Sequence, residues 1–185
     1  AEESLFTHLR SRTEVEESLK SYGVPVTTIR TGMVIGRKES SFQILLRLVN
    51  RLPFMICPSW ASTRTHPVCL DDILKAIRYV VARKECFGKV YDVGTPEVLT
   101  YREMIERMAI KLGKSVKIVS VPFFTPRLSR LWVTLTTGAP KSLVSPLIDS
   151  LRHEMLVRTA YSLPKEIHRP TTFQVAVEKS LLFEA

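Results

Sequence analysis

Apolar positions along this chain recur in two rhythms. Leu5, Leu9, Val15, Leu19 and Tyr22 follow helical spacing across residues 3–22, and Gly23 supplies a stop. Val24-Pro-Val-Thr-Thr-Ile-Arg30 is short, β-branched and flanked by Gly23 and Gly32, which predicts a strand over 24–30. Beyond Gly36, Phe42, Leu45, Leu46, Val49 and Leu52 share one helical face. Phe54 to Cys57 is a brief apolar run ended by Pro58, and His66 to Leu70 is a second short extended piece.

Asp71 and Asp72 then fall in the first turn of a helix, where carboxylates meet the positive end of the helix dipole. Its predicted buried stripe is Leu70, Ile73, Leu74, Ile77, Val80 and Val81. Val90 to Val93 reads as a strand ending at Gly94. Thr100 and Glu103 form a capping box for a helix carrying Met104, Ile105, Met108 and Leu112, with Gly113 at its end. Val116 to Val121 is another strand. Thr125-Pro126 opens a helix with Leu128, Leu131, Trp132 and Leu135 that stops at Gly138. Ser145-Pro146 reads as the same device for Leu147, Ile148, Leu151 and Met155, and a last helix runs from Thr172 to Leu182.

Strands alternating with helices argue an α/β fold. The 71–81 and 100–112 helices each have one apolar face to bury, and a sheet containing 24–30 and 90–93 offers the surface. The series begins on a helix and supplies only a handful of short strands. Near-continuous apolar strands need neighbours on both sides. The chain therefore reads as the back half of a larger α/β protein with a helix-rich tail.

Composition narrows the class. The 185 residues suit one domain, and 45% hydrophobic with 24% charged residues is ordinary globular composition. Three cysteines without a C-x-x-C pair fit neither a disulfide framework nor a zinc ribbon, so Cys57, Cys69 and Cys86 read as small buried hydrophobes. No apolar run approaches the length of a transmembrane helix, and no signal peptide is recognisable. The first residue is Ala, which leads us to expect a processed product or fragment; a cytoplasmic origin is the default.

The net charge of +9 is unevenly spread. Residues 18–70 carry seven basic groups and one acidic, and residues 107–152 carry eight and one. The excess is dispersed as single side chains, so it reads as a solvated basic face and not as a specific nucleic-acid site. His66 with Asp71 and Asp72 matches no metal-ligand spacing, and no metal is expected. His153 and His168 lie in polar surroundings and read as surface residues. There is no Walker loop and no nucleophile elbow. Trp60 and Trp132 read as packing residues.

The helix over 3–22, followed by Gly23-Val-Pro-Val-Thr-Thr-Ile-Arg-Thr-Gly-Met-Val-Ile-Gly36, resembles the C-terminal half of an extended or atypical short-chain dehydrogenase/reductase. Val68-Cys-Leu-Asp-Asp72 is similar to that family's V-H-V-D-D, and Val90-Tyr-Asp-Val-Gly94 to its V-Y-N-I-G strand. Arg51-Leu-Pro-Phe-Met55, Thr100-Tyr-Arg-Glu-Met104, Val121-Pro-Phe-Phe-Thr-Pro-Arg-Leu-Ser129 and Pro146-Leu-Ile-Asp-Ser-Leu151 resemble one atypical subgroup. That subgroup is akin to nucleotide-sugar epimerases and to the NADPH-binding accessory subunit of respiratory complex I.

The resemblance implies the C-terminal portion of a Rossmann-like NAD(P)-binding fold. The family's Gly-rich dinucleotide turn is absent, so NAD or NADP is expected for an intact protein and no tight cofactor binding for this chain. Family members place a catalytic Tyr and Lys four residues apart on the helix before the strand that corresponds to 24–30. Here those positions hold His8 and Arg12. The resemblance makes His8 the candidate general acid/base and Arg12, Thr31 and Met33 the candidate cofactor contacts. Arg64 and His66 become candidate substrate contacts.

Three functions follow as expectations. The first is an NAD(P)-binding epimerase/dehydratase-like protein, weakly or not catalytic, acting on a nucleotide sugar or other small molecule. The second is a non-catalytic binding or assembly protein that kept the fold and has a protein partner. The third is a basic module for nucleic acid or an anionic membrane surface.

Overall fold

A computed structural model describes residues 3–52, 54–120, 126–164 and 169–182. Helix α1 (Glu3–Lys20) leads into strand β1 (Thr28–Thr31) and a two-residue β2 (Val34–Ile35). Helix α2 (Ser40–Arg51) and strand β3 (Phe54–Cys57) follow, then a 3₁₀ turn over Ser59–Ser62 and the short β4 (Arg64–Thr65) and β5 (Val68–Cys69). Helix α3 (Leu70–Val80) precedes β6 (Val90–Val93), β7 (Leu99–Thr100) and α4 (Tyr101–Lys111). Strand β8 (Lys117–Ser120) and helices α5 (Pro126–Thr137), α6 (Lys141–Ser150) and α7 (Phe173–Leu181) complete the order.

The strands pair in four two-stranded ladders. Three are parallel, β1 with β6, β2 with β5 and β3 with β8, while β4 and β7 run antiparallel. Parallel pairing with helical crossovers is the α/β architecture the alternation implies. Thr28, Ile29, Arg30 and Thr31 register with Val90, Tyr91, Asp92 and Val93, so both strands end side by side. Ser162 extends this ladder through a parallel bridge to Asp92.

The core divides in two. The larger cluster joins α2, β3, α4, α6 and α7 around Phe42, Leu45, Met55, Met104, Met108 and Phe173. The smaller joins α3 to the β1–β6 ladder through Val68, Ala76, Val80, Tyr91 and Val93. All three cysteines are buried and unpaired. Trp60 packs edge-on to Tyr101 in the larger core. The Thr100–Glu103 capping box is formed in both directions.

Several sequence expectations change. The strand expected over 24–30 is confined to Thr28–Thr31, because Pro25 lacks a donor and the preceding residues form no ladder. On α3, Leu74, Ile77 and Val81 are exposed, and the inward face is Asp72, Ala76 and Val80. Asp72 turns inward because its carboxylate accepts from the Thr171 N–H and hydroxyl, which sit ahead of α7. Helix α4 packs on α2, α7 and the 3₁₀ turn instead of the β1–β6 ladder. Helix α6 starts after Pro140 and contains Pro146, so the Ser145-Pro146 start is displaced by one turn. Pro140 already fixes an extended cap, and one missing N–H inside α6 is tolerated near its first turns. His153 is half-buried, and His168 lies outside the described residues.

Candidate functional site

Strands β1 and β6 point their carboxyl ends the same way, and ligands of open α/β sheets bind outside such ends. The chain continues from β1 into Gly32-Met33 and from β6 into Gly94-Thr95. Between these turns runs the segment 64–69. Met33 O accepts from Val68 N–H at 2.8 Å, and Pro67 O accepts from Thr95 N–H at 2.6 Å. A Cβ on Gly32 would collide with the His66 carbonyl, and one on Gly94 would stand 2.7 Å from His66 Cβ. Both glycines are therefore demanded by the close passage of this segment.

His66 lies where three stretches of chain meet. Its N–H donates to Met155 O at 2.9 Å, and its Nδ1 accepts from Val157 N–H at 3.0 Å. With Nδ1 accepting, the proton of the neutral ring resides on Nε2. Burial pushes the imidazole pKa down, which favours that neutral form.

Beside His66 opens a cavity of about 660 Å³ at the end of β6, bordered by Asp92, Gly94, Thr95 and residues of the 157–163 and 169–170 stretches. Asp92 is 6% exposed. Its Oδ2 accepts from Arg158 Nε at 2.7 Å and from Arg158 N–H at 3.1 Å, and its Oδ1 accepts from Arg158 Nη2 at 2.8 Å. Burial alone would raise the Asp92 pKa, but these bonds, with the charges of Arg158 and Arg30, hold it below the ordinary carboxylate value. The Arg158 guanidinium also lies 4.2 Å above the Tyr161 ring centre.

The residues singled out in the sequence fare differently. His66 borders the cavity. Arg64 points elsewhere and holds Glu154 through two bonds, Nε to Oε1 at 2.7 Å and Nη2 to Oε2 at 3.2 Å. Thr31 and Met33 are half-buried at the end of β1 and flank Gly32, which passes against the His66 carbonyl. His8 and Arg12 lie on α1, and their side chains fall outside the described residues. Sequence reasoning passed over Asp92 and Arg158, which are 66 positions apart. The available signal was an aspartate among the apolar residues of β6, where a carboxylate requires a partner.

These residues do not by themselves make a dinucleotide cradle. The Met33 carbonyl accepts from Val68 N–H, and the sequence holds no G-x-G-x-x-G turn. No metal-binding group of His, Cys, Asp or Glu occurs among the described residues, and no helix among them is long and apolar enough to cross a membrane.

No family model matches the chain. Its fold is nonetheless that of Rossmann-like NAD(P)-binding epimerases and reductases. An NADPH-dependent quinone oxidoreductase from Escherichia coli, solved with NADPH, superposes with a TM-score of 0.66 at 18% identity, over 93% of this chain and 58% of that one. A triphenylmethane reductase from Citrobacter, solved with NADP(H), gives 0.65 at 17% identity, over 90% and 57%. A nucleoside-diphosphate-sugar epimerase from Staphylococcus aureus gives 0.63 at 16%, over 89% and 56%. In sequence, the chain is 27% identical over 118 residues to a mitochondrial NADH dehydrogenase [ubiquinone] 1 alpha subcomplex subunit 9 from Arabidopsis thaliana. That match covers 62% of this chain and 29% of the relative. The chain thus spans little more than half the length of these three structures, and its match covers less than a third of the curated relative. The resemblance to atypical short-chain dehydrogenase/reductases read from the sequence is borne out.

Proposed function

We propose that residues 1–185 form the substrate-side portion of an NAD(P)-binding epimerase/dehydratase-like protein, with weak or no turnover of their own. The observation that carries this is the meeting of the β1 and β6 carboxyl ends at His66, on a fold shared with NAD(P)-dependent epimerases and reductases. On this reading a further segment supplies the Gly-rich strand–turn–helix, and a small molecule such as a nucleotide sugar meets the cofactor above His66. His8 would be the proton-exchanging group and Arg12 a ribose or phosphate contact.

A second reading, a non-catalytic assembly role with a protein partner, is favoured by the likeness to a respiratory-complex subunit. Titration of the chain with NADPH by calorimetry tests the first. The expected dissociation constant is no better than about 1 mM, or about −4 kcal/mol. Micromolar binding overturns the missing-half argument, and NADPH turnover abolished by His8→Ala overturns the non-catalytic one.

A further inference from the structure

We propose that the end of the molecule built from the C-terminal turn of α2, the β3–β8 ladder and the C-terminus of α5 docks on an anionic phospholipid bilayer. Phe54 and Leu135 enter the headgroup region, and the lysines and arginines around them meet lipid phosphates. The proposal does not depend on cofactor binding. These elements pack in the larger core, whereas β6, at whose end the cavity opens, belongs to the smaller one.

Charge makes the first argument. Residues 40–70 and 107–148 supply all of α2, β3, β8 and α5, and they contain ten Lys and Arg but no Asp or Glu. Asp149, the next acidic residue along the chain, faces Arg130 at 3.8 Å. The cations gather around the end of α2. Arg51 Nη1 donates to Thr136 O at 2.7 Å and Arg47 Nη1 to Thr137 O at 3.2 Å, which fixes both guanidinium groups at the negative end of α5. Lys114 Nζ donates to Asn50 O at 2.8 Å, and Lys117 stands opposite Phe54 in the β3–β8 register. These four residues are exposed, and none pairs with a carboxylate among the described residues. A guanidinium bound to a carbonyl keeps its charge and has further N–H groups for a phosphate.

Apolar exposure makes the second. In the β3–β8 ladder, Phe54, Lys117 and Val119 share the outer face, while Met55 is buried on the other. Phe54 is 51% exposed, and Leu135, one residue before the Thr136 carbonyl that Arg51 holds, is 73% exposed. Protruding apolar side chains set among cations are the composition of a surface that lies in a membrane interface. A nucleic-acid surface would instead present several aromatic platforms for the bases.

The test is co-sedimentation of the full chain with vesicles of phosphatidylcholine, alone or with about one-third phosphatidylglycerol, at about 0.1 M salt. The anionic vesicles should bind at least about tenfold more strongly, the effect of two or more cations at the surface. Lys114→Gln with Lys117→Gln should weaken that binding about twentyfold. Charge alone would draw any basic protein to such vesicles, so the apolar pair decides. Phe54→Ser with Leu135→Ser should weaken binding about tenfold at unchanged charge. Leu74→Ser with Ile77→Ser, an exposed apolar pair on α3, should leave it unchanged. All six positions are exposed, so the denaturation midpoints should match the wild type. The proposal falls if the anionic vesicles are not bound, if either variant of the face binds like the wild type, or if the α3 variant loses as much. It also falls if a single-stranded oligonucleotide binds more tightly than the anionic vesicles at the same salt.

Discussion

Asp92 and Arg158 are joined by three hydrogen bonds, two from the guanidinium and one from the Arg158 main chain. The carboxylate is buried, whereas the Arg158 side chain is 46% exposed. The two ends of the pair are therefore unequal. Arg158→Met strands a buried carboxylate and should cost about 2 kcal/mol, less than a fully buried pair because water reaches the arginine. Asp92→Asn removes the charge and frees an arginine that can turn to solvent, and should cost about 1 kcal/mol. The folded Asp92 pKa is depressed, so its stabilisation is present above the unfolded value of about 3.9 and lost as pH falls through the folded one. Urea unfolding from pH 7 to 3 should show the gap between wild type and Arg158→Met closing below about pH 4.

His66 titrates in a different window. Its folded pKa lies below the ordinary value because burial disfavours the imidazolium, and protonation at Nδ1 would abolish the bond from Val157. The unfolded chain then binds the proton more readily than the folded one. Stability from this group is full above about pH 6.5 and declines as pH falls toward the lowered folded value. His66→Asn, which still accepts from Val157, should flatten the stability profile between about pH 7 and 5. An unchanged slope in that variant would assign the pH dependence to other groups.

Two glycines separate steric from conformational demands. Gly94 has His66 Cβ at 2.7 Å and Val157 Cγ2 at 2.8 Å from where a methyl would stand. Gly94→Ala must push the loop around Val157 off the site and should cost about 3 kcal/mol. Gly113, at the end of α4, has φ +65° and nothing within 4 Å of a methyl. Gly113→Ala should cost only about 1 kcal/mol, the strain of a left-handed alanine. Equal losses in denaturant unfolding would mean that the crowding around His66 relaxes freely.

What the sequence made legible were features set within a few residues. The Val90–Val93 strand matches its expected span, and the Thr100–Glu103 box and the Phe42–Leu45–Val49 face follow from local spacing. The inward face of α3 was not legible, because Leu74 and Ile77 look more buriable than Asp72 until the partner of Asp72 is known. The same holds for Asp92, whose partner lies on a distant loop without secondary structure to flag it. His66 was legible as a candidate through resemblance, but its role as the joint between Gly32, Gly94 and Val157 depends on contacts no spacing encodes.

The Asp71–Asp72 pair offers the sharpest contrast between a local and a tertiary role. Both sit in the first turn of α3, where either would favour the helix dipole. Asp72 is fully buried, and its Oδ2 accepts from Thr171 N–H at 2.7 Å while its Oδ1 accepts from the Thr171 hydroxyl at 3.1 Å. Lys75 Nζ adds a contact at 3.2 Å. Asp71 instead makes an open ion pair with Lys179 at 2.8 Å, with both side chains about half exposed. Asp72 thereby ties α3, in the smaller core, to the start of α7, whose Phe173 and Val177 belong to the larger one. Asp72→Ala takes the acceptor from the half-buried Thr171 N–H and should cost about 2 kcal/mol. Asp71→Ala should cost no more than about 0.5 kcal/mol, as exposed pairs do. Hydrogen exchange should report the difference locally: amides of 173–181 lose protection in Asp72→Ala while those of α2 keep theirs. If the two variants unfold at the same denaturant concentration, Asp72 acts through the dipole alone and the link between the cores lies elsewhere.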